Sequence, residues 1–355
     1  MKKVLKVLLI LLLVIIVAVG ALLGWLTATE YNPDPVIGLT ALREDATETL
    51  SAGEELRILS WNIGYAGLGK ESDFFMDGGE HVNSADEAAV RRYLSGIETT
   101  VASGDYDLVL LQEVDVDSSR TFRINEAEAL ASGDAYQALN YSCPFVPNPN
   151  TLIIEPLGRI NSGLLTTSEF SISSSERHAL PCPFSWPLRI ANLKRCLLVS
   201  YLPIEGSESQ LVLVNLHLEA YDSGEGKIAQ TKQLREFIRS EYEKGNYVIA
   251  GGDFNQVFPG SLEVYPNEHP DLWTVGALDE SSLPGEGWQY AYDASVPTCR
   301  LLNQPYDPAD TENTQYYVID GFILSPNVEL VSVNSLDMAF ENSDHNPVSL
   351  CIRLK

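Results

Sequence analysis

Short apolar stretches that end in polar side chains recur along the chain, and the clearest of them covers residues 247–255. Tyr-Val-Ile-Ala is followed there by two glycines, by Asp253 and, two residues later, by Asn255. A short apolar stretch bounded by glycines predicts a buried strand. Because side chains two positions apart in an extended segment project to the same side, Asp253 and Asn255 can contact one small target. Taken alone, the segment also fits a turn in which the aspartate caps the strand.

The same pattern predicts further strands where polar residues follow, precede or interrupt an apolar run. These are residues 56–61 before Asn62, 107–111 before Gln112 and Glu113, 211–216 before His217, 317–324 around Asp320, and 346–352 after Asp344 and His345. Apolar periodicity and capping residues predict helices at about 84–103, 125–131 and 227–244. Strands that alternate with a few helices, with a strand-rich middle over residues 136–201, predict a mixed α/β domain built on packed sheets.

The first 29 residues have a different pattern from the rest. Three lysines among the first six residues precede an uncharged, largely aliphatic stretch over residues 7–29. A membrane-spanning helix needs about 20 apolar residues, whereas the apolar part of a cleaved signal usually has roughly 7–15. We therefore predict a transmembrane signal anchor over residues 1–29, with cleavage near Ala28 as the alternative.

The charges around this stretch predict its orientation and the organisation of the chain. Lysines before the stretch and Glu30 after it place the N-terminus inside, so the remaining chain is predicted to be extracytoplasmic and held at the cell membrane by a single pass. Residues 30–54, which include Asn-Pro-Asp-Pro, predict a polar tether. Residues 55–355 form the predicted folded domain, and nothing in the sequence predicts its oligomeric state.

Acidic residues strongly outnumber basic ones beyond the anchor. Of the 23 basic residues three lie in the anchor, so 20 stand against 49 acidic residues in the remainder. Duplex DNA is normally held by lysine and arginine that displace counterions, and a field of this sign repels it. Long nucleic acid is therefore disfavoured as a partner, although a local basic patch could still bind a small phosphorylated substrate.

The cysteines argue against a zinc cluster. All five, at positions 143, 182, 196, 299 and 351, lack the Cys-x-x-Cys spacing of such sites. Outside the cell one or two disulfides could form, with Cys182 and Cys196 as the nearest pair in sequence. Connectivity stays open at this point.

Carboxylates, carboxamides and histidines dominate the polar residues at the predicted strand ends. Oxygen ligands without a cysteine cluster suit Mg²⁺, or Mn²⁺, better than Zn²⁺. His217 and His345 supply an acid and a base near neutral pH. Asp320, inside an apolar strand, needs a buried partner, for which a histidine is the natural one. Together with amide donors for phosphoryl oxygens, this set predicts hydrolytic phosphoryl transfer. The alternative for Glu113 is a solvated residue at a strand end, and the alternative for His217 is a hydrogen-bonded residue at the rim of the sheet.

Seven motifs, taken in order, resemble the endonuclease/exonuclease/phosphatase superfamily. They are Ser60-Trp61-Asn62-Ile63, Leu111-Gln112-Glu113-Val114, Asn161-Ser162-Gly163-Leu164-Leu165, Val214-Asn215-Leu216-His217-Leu218, Gly252-Asp253-Phe254-Asn255, Ile319-Asp320-Gly321-Phe322 and Ser343-Asp344-His345-Asn346-Pro347. That group includes DNase I-like nucleases, neutral sphingomyelinases and inositol-polyphosphate 5-phosphatases. The resemblance covers residues 56–355 and implies a DNase I-like four-layer α/β sandwich with two central mixed β-sheets. It also implies a metal-dependent phosphoric-ester hydrolase.

The resemblance implies a role for each matched residue. Glu113 would be the principal metal ligand, Asn62 would support the metal or a phosphoryl oxygen, and Asp344 would complete the metal shell. No glycine-rich nucleotide loop and no Gly-x-Ser-x-Gly motif is present, so kinase and serine-hydrolase activities have no support.

The proton-transfer roles are also implied by the resemblance alone. Asp253 would orient or deprotonate the attacking water, and Asn255 would hold the phosphate. His345, paired with Asp320, would stabilise or activate, and His217 would protonate the leaving group. Whether Asp253 or His345 is the general base stays open.

Departures from the family branches narrow the substrate. Asp320 is followed by glycine, whereas the 5-phosphatase pattern has arginine there, and His217 is absent from the abasic-site endonuclease branch. Acidic charge and an outward anchor favour a small or lipid-borne phosphodiester or phosphomonoester, with an extracytoplasmic nuclease or a non-catalytic phosphoryl-binding module as alternatives. Arg120, Asn161 and Arg300 are candidate substrate contacts, and salt bridges are the alternative for the two arginines. The apolar loop at residues 183–188 could touch lipid headgroups or pack onto a sheet.

Overall fold

Two seven-stranded mixed sheets organise the computed structural model, which describes residues 2–148, 155–222, 224–273, 275–310 and 312–355. The helices are α1 (Lys2–Ala28), α2 (Glu87–Ser103), α3 (Glu126–Leu130), α4 (Glu225–Glu243) and α5 (Ser261–Val264). The strands are β1 (Val36–Gly38), β2 (Arg43–Glu44), β3 (Glu55–Asn62), β4 (Leu108–Asp115), β5 (Asp134–Val146), β6 (Gly158–Ser168), β7 (Ser174–Ala179), β8 (Cys196–Pro203), β9 (Gln210–His217), β10 (Tyr247–Asp253), β11 (Gln256–Val257), β12 (Gly276–Ala277), β13 (Gln289–Ala291), β14 (Cys299–Arg300), β15 (Tyr316–Tyr317), β16 (Asp320–Leu324), β17 (Val328–Ser335) and β18 (Val348–Leu354).

The two large sheets pack face to face between two layers of helix. The strand order is β1-β7-β8-β9-β10-β16-β13 in the first sheet and β17-β18-β3-β4-β6-β5-β2 in the second. Fully buried aliphatic side chains from both sheets, such as Ile58 and Leu213, fill the space between them. Leu234 and Ile238 of α4 cover the outer face of the first sheet, and Ile97 of α2 belongs to the cluster over the second. The predicted four-layer α/β sandwich is confirmed.

The helix predicted from residue 84 begins three residues later. Asp86, and not Ser84, is the N-cap of α2, and its carboxylate accepts a hydrogen bond from the Ala89 N–H at 2.8 Å. A carboxylate at this position also interacts favourably with the positive end of the helix dipole.

Residues 30–54, for which the sequence predicts a polar tether, run along the edges of both sheets. Val36–Gly38 pairs antiparallel with β7, and Arg43–Glu44 pairs antiparallel with β5. Leu50 is fully buried between the sheets. The segment lacks a strand-like apolar pattern because short edge strands are held by backbone hydrogen bonds rather than by a buried face.

The N-terminal helix α1 is long and apolar enough to cross a membrane. The large apolar side chains among residues 4–19 are exposed, whereas Leu26 near the helix end is buried against the domain. The five cysteines are free thiols, Cys182 and Cys196 included.

Candidate active site

The strand ends bring polar residues of both sheets to one edge of the sandwich. In the first sheet, β9 and β10 are parallel and their register pairs His217 with Asp253, while antiparallel β16 places Asp320 opposite Asp253. In the second sheet, parallel β3 and β4 pair Asn62 with Gln112. Because parallel strands end at the same edge of a sheet, His217 and Asp253 meet there, and both line one cavity with Glu113 and His345.

Two of the predicted site residues have a left-handed backbone. Glu113 has φ 55° and Asn255 has φ 51°. Glu113 lies where the pairing of β4 with β6 shifts register between Leu111 and Val114, so a bulge turns its carboxylate out of the regular alternation. Such conformations cost about 1–3 kcal/mol each in non-glycine residues and are typical of functional sites.

Asp253 lies at the centre of the site. Its carboxylate accepts hydrogen bonds from the Asn62 amide at 3.0 Å and from the Asn255 backbone N–H at 2.8 Å. The Nε2 atoms of His217 and His345 lie 3.4 and 3.9 Å from its Oδ2. Burial raises the pKa of Asp253 to about 7, and the charge of a second buried carboxylate adds to the shift. A group with this pKa can exchange a proton near neutral pH.

His345 and Asp320 form a buried pair. Nδ1 of His345 lies 2.8 Å from Oδ2 of Asp320, and both residues are nearly inaccessible to solvent. The Trp61 indole donates to the His345 carbonyl at 2.8 Å, and the Asp320 N–H donates to Thr298 Oγ1 at 3.1 Å. Burial lowers the pKa of His345, but attraction to Asp320 outweighs it, so the pKa stands well above its usual value. The imidazole is therefore held as a cation with Nε2 turned toward the site.

His217 has the opposite electrostatic environment. Burial lowers its pKa well below the usual value, and the positive charges of Arg195 and His345 lower it further. Its Nε2 lies 3.9 Å from Glu113 Oε1, and its Nδ1 has no hydrogen-bond partner among the described residues. The two histidines thus differ in charge, which the sequence pattern did not indicate.

Glu113 and Asp344 fit a hard divalent cation. Both carboxylates line the cavity, and burial together with the charge of Glu113 raises the pKa of Asp344 to about 7. The Asn62 amide nitrogen lies 3.3 Å from Glu113, while its oxygen accepts from the Gly64 N–H at 3.1 Å. A Cβ on Gly64 would lie 2.8 Å from Asp344 Oδ1, so only glycine leaves room for this carboxylate. Carboxylate oxygens such as those of Glu113 and Asp344 are the ligands that Mg²⁺ or Mn²⁺ prefers.

A second group of ligand-type atoms lies next to this pair. Asp253, Asp320 and His345 bring such atoms within 4.8 Å of one another. Because His345 Nδ1 and Asp320 are bound to each other, a cation there would break their hydrogen bond. This group therefore fits proton transfer better than metal binding.

Arg120 lines the cavity, as expected of a substrate contact, but its charge is already paired. It donates two hydrogen bonds of 3.0 Å to the buried carboxylate of Asp115, and its guanidinium lies 3.4 Å from the centroid of the Tyr65 ring. The ion pair was the alternative that the sequence left open, and the structure combines it with a position at the cavity wall.

Arg300 and Asn161 are not brought to the site. The buried Arg300 donates to the backbone carbonyls of Gly69, Leu301 and Gln304, so it stabilises neighbouring loops instead of facing the cavity. Asn161 lies on β6 with its carboxamide 2.7 Å from the Ser142 hydroxyl, and it does not line the cavity. In this arrangement both side chains bind groups of the fold, away from the cavity.

Two buried carboxamides, which the sequence did not indicate as partners, connect the two sheets. Gln112 donates to the Asn215 carboxamide at 2.8 Å, and Asn215 donates to the carbonyls of Leu111 and Leu165 at 3.1 and 2.9 Å. Both side chains are fully buried. They connect β4 to β9 directly behind Glu113 and His217, and so fix the distance between the two halves of the site. Their place within the motifs was visible, but their mutual contact has no sequence signal.

The buried carboxyl of Glu126, which accepts a hydrogen bond two residues after Glu113, makes the stability of the protein depend on pH. It is fully buried on α3 and accepts from the Asp115 N–H at 2.8 Å, and burial, then the charge of Asp115, raises its pKa well above the usual value. The native state thus retains a proton that the unfolded state releases as pH rises above the usual pKa. Stability is therefore lost with rising pH until the native pKa is reached, by about 1.4 kcal/mol per pH unit.

Glu126→Gln is expected to remove this component of the pH dependence, because glutamine does not titrate. Urea unfolding of the full chain in detergent at several pH values measures the slope. Glu128→Gln, an exposed change on the same helix, is the control and should leave the slope unchanged. Equal slopes for wild type and Glu126→Gln would contradict the prediction.

The chain resembles several solved structures. One is an endonuclease/exonuclease/phosphatase from Beutenbergia cavernae, 17% identical, with a TM-score of 0.54 over 84% of this chain and 72% of that one. Another is a family protein from Leptotrichia buccalis, 15% identical, with a TM-score of 0.53 over 84% of this chain and 100% of that one. The human Nocturnin catalytic domain, solved with a bound sulfate anion, is 19% identical with a TM-score of 0.50 over 87% and 97%. At these identities the likeness shows the fold alone.

A family match extends the likeness to the sequence. No curated protein matches the chain. The model of the Endonuclease/Exonuclease/phosphatase family matches residues 59–345, a range that includes the polar site residues from Asn62 to His345. The order of motifs, the two-sheet sandwich and this match agree, and the chain belongs to the endonuclease/exonuclease/phosphatase family.

Proposed function

We propose that this protein is a Mg²⁺-dependent phosphodiesterase that acts outside the membrane on a small or lipid-borne phosphate ester. The single observation that carries the proposal is the convergence of Glu113, Asp253 and His345 on one cavity. The family is hydrolytic, which supports phosphoester cleavage in general. The finer assignment rests on the charge and on the N-terminal helix.

Each side chain has a place in hydrolysis. Glu113 and Asp344 would hold the cation, which supplies Lewis-acid polarisation of a phosphoryl oxygen. Asp253 would accept the proton of the attacking water as its oxygen bonds to phosphorus. The ester P–O bond breaks, and the leaving oxygen takes a proton from solvent water. His345, cationic and fixed by Asp320, is suited to stabilise the phosphoryl charge, while His217 is neutral in this arrangement and fits a hydrogen-bonding role better than that of a charged acid.

Charge argues for a small or lipid-borne substrate. The chain carries a formal charge of −26, and two of its candidate phosphate-binding arginines are bound within the protein, Arg120 to Asp115 and Arg300 to backbone carbonyls. Binding of duplex DNA needs many free cationic contacts. An extracytoplasmic nuclease is thus the weaker candidate, and rapid plasmid digestion at low salt would favour it.

The test uses the full chain in detergent with bis(p-nitrophenyl) phosphate. We expect hydrolysis with Mg²⁺, loss of activity in EDTA, and recovery when Mg²⁺ is in excess. Glu113→Gln should raise the Mg²⁺ concentration for half-maximal activity at least about tenfold, because a ligand is lost. Glu208→Gln changes an exposed carboxylate and serves as the matched control. Activity that survives EDTA, or that is unchanged in Glu113→Gln, would contradict the proposal.

A further inference from the structure

The cavity that holds the catalytic residues continues to the end of the N-terminal helix. It has a volume of about 610 Å³, with Glu113 and His345 at its polar end. Leu23 and Leu26 of α1 form part of its wall, together with Ile190. One continuous space therefore joins the phosphoryl site to the membrane helix.

The end of α1 is built into this wall. Leu26 packs in a cluster with Tyr141, Val146 and Ile190. The Trp186 indole donates to Thr27 Oγ1 at 3.2 Å. Just after the helix, Glu30 forms ion pairs of 3.2 Å with Arg189 and 3.3 Å with Lys194. Apolar packing, a hydrogen bond and two ion pairs thus fix the helix end against the domain.

The cavity wall lies at the level expected for the membrane surface. Residues 7–26, which follow the three lysines, rise about 30 Å as an α-helix, which matches the hydrocarbon thickness of a bilayer. Leu23 and Leu26 lie in the last turn of this segment, at its outer end. Trp186 and Leu188, beside the helix end, remain 54% and 66% exposed. Exposed tryptophan and leucine next to a spanning helix are typical of the membrane interface. Of the two alternatives for the loop at residues 183–188, this exposure favours contact with lipid headgroups over packing onto a sheet.

We propose that the apolar part of the cavity holds a hydrocarbon chain of a phospholipid from the same membrane, with α1 as one wall of the substrate site. The lipid phosphate would then reach Glu113 and His345 while its chain contacts Leu26 and Ile190. The strongly acidic chain repels a polyanion, whereas the phosphate of a lipid carries only one or two negative charges. This inference rests on the proposed function, because it names the substrate class of the same site.

The test is a chain-length series of butyl, hexyl and octyl phosphate. Isothermal titration calorimetry with the full chain in nanodiscs and Mg²⁺ measures each Kd, with empty nanodiscs subtracted for partitioning. Each added methylene that enters an apolar site strengthens binding by up to about fourfold. We expect the Kd to fall along the series. Leu26→Trp and Ile190→Trp fill the apolar part, and each should weaken octyl phosphate at least tenfold while butyl phosphate stays within twofold.

Ile228→Trp, at an exposed position on α4, is the matched control and should behave as wild type. Leu26 lies on α1, outside the two sheets, so Leu26→Trp provides a second test if Ile190→Trp does not fold. A Kd that is the same for butyl and octyl phosphate, or an octyl affinity unaffected by Leu26→Trp, would overturn the inference. If the soluble diester is hydrolysed but the Kd of the alkyl phosphates does not depend on chain length, this inference fails and the proposed function stands. If the Kd falls with chain length but no ester is hydrolysed, the proposed function fails and the binding of a hydrocarbon chain stands.

Discussion

Replacement of Asp253 by asparagine is expected to lower kcat for a soluble phosphodiester by about 10²- to 10⁴-fold, the range typical of a lost proton-transfer group. Asp253 is buried between the two histidines, at 3.4 and 3.9 Å from their Nε2 atoms. Asparagine has nearly the same shape and keeps an oxygen that can accept from the Asn255 N–H. It cannot accept a proton at neutral pH, so kcat falls. The oxygen that accepts from the Asn62 amide is also lost, so thermal stability is expected to fall as well.

The control separates this effect from the general effect of changing a buried carboxylate. Asp134 is also buried, and it accepts from the N–H groups of Ala46 at 3.0 Å and Ile172 at 2.8 Å, away from the cavity. Asp134→Asn should lower thermal stability, because one of the two acceptor oxygens is lost, and leave kcat within a few-fold of wild type. If Asp253→Asn retains more than about a tenth of the wild-type kcat, Asp253 does not transfer the proton.

The positions of the candidate catalytic side chains at strand ends follow from the apolar pattern. A buried strand that ends in Asp253 or His217 leaves its polar residue at the sheet edge, and parallel neighbours end at the same edge. Only the two-residue period of the strand and the direction of its neighbours determine this placement. The alternation of strands and a few helices predicts a mixed α/β domain, whereas the four-layer sandwich was implied by the resemblance of the seven motifs to a known family.

Long-range contacts were not predictable from the same signals. The bulge that turns Glu113 toward the cavity depends on pairing with β6, some 50 positions away in the chain. An arginine such as Arg300 is a residue type that often binds phosphate. The loop carbonyls that it binds instead, such as that of Gly69, are distant in sequence. Charge and spacing are properties of one segment of the chain, whereas the hydrogen-bond partners of a side chain depend on how distant segments pack together.

The electrostatic difference between the histidines has the same origin. His217 and His345 both follow or precede apolar strands, and their local sequences do not distinguish them. Burial lowers the pKa of both imidazoles, but attraction to Asp320 outweighs it at His345, whereas the positive charge of Arg195 adds to the effect of burial at His217. Both neighbours come from other strands or loops, so only the assembled site assigns the charge.

The pair of His345 and Asp320 is expected to act as one unit, with non-additive losses. His345→Ala should lower kcat for a soluble phosphodiester by about 10²- to 10⁴-fold. Asp320→Asn should cause a large part of that loss, because the 2.8 Å contact that orients and charges the imidazole is weakened. The double variant should be no slower than His345→Ala, since Asp320 acts through the histidine.

His178 and Glu176 on β7 provide a matched control for this cycle. Their imidazole and carboxylate are also 2.8 Å apart, but they lie outside the cavity. His178→Ala should leave kcat unchanged, which excludes a general effect of losing a histidine–carboxylate pair. Losses that multiply in the double variant would mean that Asp320 acts on the substrate or metal independently of His345. A wild-type rate for Asp320→Asn would mean that Trp61, which donates to the His345 carbonyl, and the surrounding packing suffice to orient the imidazole.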